Sequence, residues 1–248
     1  MVIAKLIFST MRKLTLALLL TLPTIALAID LEGYYITVKG GASKTFNAGA
    51  TSFDEGDMTN FPFQNEDLGT GTAFGFSAGK YLTDNFRLEL EAIKRTGYEY
   101  DATDLGDLAV VMTAKIETHA LFINGFYDFQ PFSLKSTSIT PYLGGGVGIS
   151  RNKIGTVVEY NTGIPNGTTF DSNTINRFAY KLSAGTLVSI TEQLSLDVNY
   201  QYVNLGSFKG GTERSVNGVR TPTRDLQRGI NGGDIKTQEL MVGLQYKF

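Results

Sequence analysis

The chain has 248 residues, 28 of them glycine and none cysteine, with 22 basic side chains against 24 acidic ones. Without cysteine there is no disulfide staple, no thiolate nucleophile and no thiolate metal ligand. The weakly acidic balance gives no electrostatic case for general nucleic-acid binding.

The first predicted element is a leader. In "MRKLTLALLLTLPTIALAID", Arg12 and Lys13 precede an apolar run from Leu14 to Leu22, Pro23 interrupts it, and Ala26 and Ala28 occupy the small-residue positions before Ile29. The pattern predicts a secretory signal peptide over residues 1–28, cleaved after Ala28. A membrane-spanning helix would need about 20 continuous apolar residues. Residues 29–248 contain no Pro-rich, Ser-rich or like-charge linker and are predicted to form a single domain.

From Tyr34 onward one pattern repeats: apolar and polar residues alternate with the period of a strand. "YYITVKGGAS" sets Tyr34, Ile36, Val38 and Ala42 against Tyr35, Thr37, Lys39 and Ser43, and "TAFGFSAGKY" sets Phe74, Phe76 and Ala78 against Gly75, Ser77 and Gly79. "FRLELEAIKR" sets Phe86, Leu88, Leu90 and Ala92 against Arg87, Glu89, Glu91 and Arg95, with Ile93 as the exception. "HALFINGFYDF", "PYLGGGVGIS", "RFAYKLSAGTLVSI", "LSLDVNYQYV" and "QELMVGLQYKF" follow. Each is close to the roughly nine to eleven residues that a tilted strand needs to cross a bilayer.

The connections sort by length. "LTDN", "TEQL" and the moderate "QPFSLKSTSIT" alternate with long segments over residues 44–71, 96–113, 151–176 and 206–235. This asymmetry predicts an all-β fold, an eight-stranded antiparallel transmembrane β-barrel with long extracellular loops and short periplasmic turns in the bacterial outer membrane. The apolar face then meets lipid, because slipping residues 86–95 by one position would put Arg87 into hydrocarbon at about 2–4 kcal/mol. The interior collects Lys39, Arg87, Arg95, Lys181 and Lys247 against Glu89, Glu91, Asp197 and Glu239, a nearly neutral network. A ten-stranded barrel is the alternative, with "VVEYNTGIPNGTTFD" as a hairpin extending strands five and six. Strand four has two readings. With Asn124 and Asp128 inward, the same parity turns Lys115, Glu117 and His119 outward; either a bulge intervenes or, preferably, the sheet continues above the lipid.

"LFINGFYDF" followed by "TPYLGGGVGIS" resembles the fourth and fifth strands of the outer-membrane barrel superfamily of opacity-type proteins, the membrane domain of outer-membrane protein A, and surface antigens of rickettsia-like bacteria. "FRLELEAIKR" resembles its third strand. "LQYKF", with Tyr246 and Phe248, is similar to the C-terminal signal read by the barrel-assembly machinery. The resemblance covers the strands and none of the long loops, and it implies a Gram-negative surface protein with a structural and adhesin-like role. With the chain ending at Phe248, a cell-wall tethering role is not expected.

Motifs for chemistry are weak. Glu89 and Glu91 share a face about 7 Å apart, a spacing compatible with glycoside hydrolysis, but an eight-stranded barrel is too narrow to admit a polymeric sugar. His119 is the sole histidine and has no adjacent serine, which disfavours a lipid-modifying enzyme. "GGGVG" lacks the lysine and helix of a phosphate loop, its glycines leaving room for neighbours such as Arg87, and no cluster has metal-ligand spacing. No enzyme and no cofactor are predicted.

The loops differ in charge. The first carries Asp54, Glu55, Asp57, Glu66 and Asp67, and the second Glu99, Asp101, Asp104 and Asp107; the fourth carries Lys209, Arg214, Arg220, Arg224 and Arg228. Barrel closure would place the first beside the fourth. Two readings stand: the loops screen each other, or the fourth binds a polyanion such as lipopolysaccharide phosphate, a host glycosaminoglycan or an acidic host protein. Partners are therefore the lipid bilayer, lipopolysaccharide, the assembly machinery and host surface molecules, with a narrow solute pore as the alternative function and a lipid-modifying enzyme third.

Overall fold

A computed structural model describes residues 31–46, 52–54, 60–64, 68–104, 110–134, 137–211, 213–222 and 231–248. The predicted leader, residues 1–28, lies outside them. The described strands are β1 (Tyr34–Thr45), β2 (Ser52–Asp54), β3 (Asn60–Gln64), β4 (Thr70–Tyr81), β5 (Phe86–Asp104), β6 (Val110–Asp128), β7 (Phe132–Leu134), β8 (Thr137–Ile154), β9 (Val157–Asn161), β10 (Ile164–Phe170), β11 (Asn173–Ser189), β12 (Leu194–Lys209), β13 (Glu213–Val216), β14 (Val219–Pro222) and β15 (Asn231–Lys247).

Eight of these close a barrel in the order β1, β4, β5, β6, β8, β11, β12, β15, and the seam is the antiparallel pair β1–β15, with Tyr35 opposite Lys247 and Thr45 opposite Thr237. Closure removes every edge within the wall, which a sheet in hydrocarbon requires because no water is there to satisfy free backbone groups. The two tight turns share one device. Thr83 Oγ1 accepts from Phe86 N at 3.1 Å, and Thr191 Oγ1 accepts from Leu194 N at 3.0 Å. Both chain ends of the barrel lie at the end of these turns, where Phe248 N donates to Tyr34 O at 3.0 Å.

The wall alternates as the sequence does. Phe74, Leu90, Leu121, Ile123, Ile149, Phe178, Leu182 and Leu240 face outward and are exposed, while Lys39, Arg87, Glu91, Arg95, Lys181 and Glu239 are buried. Ile93 keeps the alternation, buried on the inner face beside Arg95, and Lys94 turns outward. At the end with the short turns, Tyr34, Phe86, Tyr127 and Phe129 lie exposed on the outer surface, and Tyr127 and Phe129 pack edge to face at 5.3 Å. They form an interfacial belt without tryptophan.

Above the lipid span a second tier of sheet replaces much of what was expected to be loop. β5 and β6 run 19 residues each, roughly twice the length a crossing needs, so the segment 96–113 is largely a hairpin. The β2–β3 hairpin bridges β15 and β5 above the shorter β1 and β4. "VVEYNTGIPNGTTFD" does form a hairpin, β9–β10, but it pairs with the top of β6 and with β13 and adds no strand to the wall. The barrel has eight strands. Its turn, Thr162-Gly163, and that of β13–β14, Asn217-Gly218, have positive φ at both central residues, the geometry of two-residue hairpins that match strand twist.

β6 carries no bulge. One parity runs from Met112 to Asp128, with Lys115 and His119 exposed and Met112, Ile116, Asn124 and Asp128 buried. The irregularity in this pair lies on β5 between Arg95 and Tyr98, where Gly97 has φ 90°. What changes along β6 is the surrounding medium. In lipid the polar side must face in, whereas above it water takes the polar side and the apolar side faces in.

Sealed lumen and candidate binding surface

The lumen is filled in layers. Near the end with the short turns, Arg87 Nε donates to Asp128 Oδ1 and Oδ2 at 3.1 and 3.2 Å, and its Nη1 to Tyr35 OH at 3.2 Å. Its guanidinium lies 4.3 Å from the Phe126 ring centroid and 4.7 Å from that of Tyr142, a buried cation held by one carboxylate and aromatic faces. Tyr142 OH donates to Asp197 Oδ1 at 2.6 Å.

Glu91 is the hub of the middle layer. It accepts from Lys39 Nζ at 2.6 Å, from Lys181 Nζ, and from Asn124 Nδ2 at 3.1 Å, and the same amide reaches Glu89 at 3.1 Å. Gln201 Nε2 links this layer to the next by donating to Glu239 Oε2 at 2.6 Å. There Arg95 grips Glu239 bidentately at 2.5 and 3.1 Å, and Ser43 and Thr237 hydroxyls donate to the same carboxylate at 2.7 and 2.8 Å.

Above Arg95 the filling turns apolar: Tyr98, Ile116, Ile154, Leu205, Phe208 and Ile235 are fully buried in one cluster. Gly206 (φ 68°) shifts the register of β12 on β15. The end of β12 turns inward there, and Asn152 Nδ2 holds it through Leu205 O at 2.8 Å and Ser207 O at 2.9 Å.

Small residues make this filling fit. Added Cβ atoms at Gly144 and Gly146 would overlap the Phe126 ring and the Asn124 amide, so these glycines serve neighbours on β6 directly and Arg87 only through Phe126.

Lys39, Arg87, Glu89, Glu91, Arg95, Lys181, Asp197 and Glu239 all lie in the buried network. Lys247, expected inside, stands exposed at the barrel mouth with its ammonium 4.8 Å from the Tyr81 ring centroid. Its inward parity falls on the last turn of the wall, where the lumen opens to water. Asp128, Tyr35 and Tyr142 are also part of the network; sequence parity marked Tyr35 and Asp128 as inward but passed over Tyr142. The glutamate pair is occupied by lysines and an amide and has no open approach. His119 is on the outer wall, away from Ser43, Ser77 and Ser150, which are buried inside.

Among the described residues the lumen is filled by buried side chains at the levels of Arg87, Glu91, Glu239 and Phe208, a filling that should obstruct a hydrated ion. Planar-bilayer recordings of the purified barrel are expected to give no defined openings; steps of porin size would mean that the plug is displaced in membranes.

Of the fourth-loop cations, Arg220 is exposed and ion-paired with Glu213 at 3.0 Å, and Lys209 lies on β12 opposite Asn231 of β15. Arg214 belongs to β13, in register with Phe170 and Thr221. Arg224 and Arg228, like Glu55, Asp57, Glu66, Asp67 and Asp107, lie outside the described residues. The first-loop hairpin does neighbour β15. Two signals for the upper tier were present in the sequence and went unused: the Asn-Gly pair in "SVNGVR" and the apolar inward set Met112, Ala114 and Ile116.

A closed, lipid-facing barrel with a packed polar interior and a sheet tier at the end of its long connections is a transmembrane barrel of the outer-membrane type. The family model for the outer membrane protein beta-barrel domain matches residues 14–248, and the chain belongs to that family. Its place is the bacterial outer membrane. The chain is 29% identical over 189 residues to outer membrane protein PagN of Salmonella typhimurium, covering 71% of this chain and 75% of that one. It is 24% identical over 215 residues to a putative adhesin of Rickettsia bellii, covering 80% and 87%. Among solved structures, the outer membrane protein OprG of Pseudomonas aeruginosa superposes with a TM-score of 0.53 at 15% identity over 88% of this chain and 96% of that one, a likeness of fold.

Proposed function

We propose that the protein is a surface adhesin, in which the sealed barrel is an anchor and the second tier is the binding platform. The observation that carries this reading is the combination of a lumen filled by buried side chains among the described residues and a strand-built, water-facing tier; strands hold side chains more rigidly than loops and so lower the ordering cost of binding. The names of the relatives, an outer membrane protein and putative adhesins, support the same reading. In this proposal residues 1–28 direct export and are removed after Ala28, Tyr246 and Phe248 present the assembly signal, and no catalytic step is assigned. The partner is a host glycosaminoglycan or an acidic host surface protein, met by Lys209, Arg214, Arg220, Arg224 and Arg228.

Whole bacteria displaying the protein test this directly. Replacing Arg214, Arg220, Arg224 and Arg228 with glutamine is expected to reduce heparin binding by at least about tenfold, since each exposed cation near a polyanion contributes on the order of 1 kcal/mol. Arg220 contributes least, because Glu213 already pairs it. Unchanged heparin and cell binding by a variant displayed at normal density would remove the fourth loop from the adhesive surface.

A further inference from the structure

We infer that the outer wall of β5, β6 and β8 carries a docking site for the phosphorylated glucosamine headgroup of the outer-leaflet glycolipid. The inference rests on the outer-membrane location alone, and it is independent of the adhesive reading.

Register defines the site. Ala92, Leu121, Ile149 and Phe178 form one outward row across β5, β6, β8 and β11, and the last three of them are apolar side chains more than half exposed. The next outward row, about 7 Å further along the strands, is Lys94, His119, Arg151 and Asn176. Apolar surface therefore gives way to a line of nitrogen donors within one pleat. Strand tilt carries this row obliquely across the boundary, from Phe74 beside Lys94 at one end to Asn176 at the other. Adjacent strands lie about 4.8 Å apart, so Lys94 and Arg151 flank His119 over about 10 Å, within reach of one phosphorylated sugar.

Charge points the same way. One step higher Glu117 faces Lys153, and above that Glu99 faces Lys115. The patch and the groove above it thus hold four cations, Lys94, Lys115, Arg151 and Lys153, against the three acids Glu99, Asp101 and Glu117. Lys94 meets Glu117 at 3.8 Å, while Lys115, Arg151 and Lys153 make no ion pair among the described residues. A groove of about 500 Å³ lined by Glu99, Asp101, Lys115 and Thr156 opens directly above, space for sugar beyond the phosphate. An uncompensated arginine and lysine adjoining an apolar band are suited to a ligand with acyl chains and phosphate at matching heights. Elsewhere on the wall this boundary carries Thr72 on β4, Asn204 on β12 and Gln238 on β15, with Lys44, Lys236 and Arg177 as cations and Asp234 as an acid; Arg177 Nε donates to Ser207 Oγ and Asn204 Nδ2 to Asp234 Oδ2.

The test uses the full barrel in phosphatidylcholine nanodiscs with fluorescent bis-phosphoryl lipid A as probe. Lys94→Gln, Arg151→Gln and Lys153→Gln together are expected to weaken binding more than tenfold, at about fivefold per cation removed. Lys44→Gln with Lys236→Gln should change it by less than about twofold, and dephosphorylated lipid A should bind the native barrel as weakly as the triple variant. Heat-modifiable migration checks that each variant is folded, and Arg151→Gln alone replaces the triple variant if that one fails to assemble. Three results overturn the site: equal affinity for the dephosphorylated probe, equal weakening by the two variant sets, or equally strong competition by phosphatidylglycerol. Loss of heparin binding by whole cells is neither expected nor required, so this inference and the adhesive reading fail separately.

Discussion

Glu91→Gln is expected to destabilise the barrel by about 3–5 kcal/mol, the cost of removing one member of a buried ion cluster and leaving its partners uncompensated. Glu91 is fully buried and receives Lys39 at 2.6 Å together with Lys181. Without its charge, Lys39 keeps only Glu89 at 3.8 Å, and Lys181 keeps Gln201 at 3.5 Å. Lipid surrounds the wall at this height and the apolar plug closes one end, so water reaches the orphaned ammonium groups poorly. Tryptophan is absent, so urea unfolding is best followed by far-ultraviolet circular dichroism and heat-modifiable migration. Adding Lys181→Gln should recover part of the loss, giving a double-mutant coupling of at least about 1 kcal/mol. A change below about 1 kcal/mol for Glu91→Gln would mean that the lumen is hydrated enough to solvate both lysines.

Gly148→Val is expected to cost about 3 kcal/mol or to prevent assembly, at the upper end of what overpacking a well-filled interior costs. The first added atom would overlap the Leu121 carbonyl oxygen and stand 3.0 Å from Phe122 Cα. Both are backbone of β6, which cannot move aside as a flexible side chain would. Phe122 pairs directly with Gly148 in the β6–β8 register, so the strain falls on the hydrogen-bonded wall itself. Gly40→Val is the control. Gly40 lies on the outer face, where the nearest atoms to an added Cβ are at 3.6 and 3.7 Å, and a branched apolar residue there meets lipid. That variant should run as a compact, heat-modifiable barrel, and Gly148→Val should not. Normal assembly of Gly148→Val would place the β6–β8 spacing in error.

The strands, their faces and the sorting of connections by side were legible because each depends on neighbours two residues apart. Residues 86–95 illustrate this: alternation alone puts Arg87, Glu89, Glu91 and Arg95 on one face, and the folded wall keeps them there. Lys247 shows the limit of the same rule. Parity assigns a side of the wall but not a height, and at the last turn the inner side is already in water. The puzzle of β6 has the same origin. Lys115, Glu117 and His119 follow the parity of Leu121 and Ile123, and the chemistry of the outward face changes only because the medium does.

Partner choice inside the lumen was beyond the reach of sequence. Arg95 and Glu239 are 144 residues apart, Lys181 and Glu91 90, and Arg87 and Asp128 41, and no local pattern distinguishes these pairings from others among the same charges. Closure of β1 on β15 and the stagger of the strands decide them, since these set which inward side chains share a level. The apolar plug and the second tier were decided the same way. Val157, Phe170 and Phe208 read as loop residues until β9, β10 and the inturned end of β12 bring them over the barrel. The sequence by itself therefore determined which residues meet lipid and which turn away from it, because the bilayer imposes that choice residue by residue. Tertiary structure alone decided what the inward residues meet and how the long connections fold above the membrane, because those contacts exist only once the wall has closed.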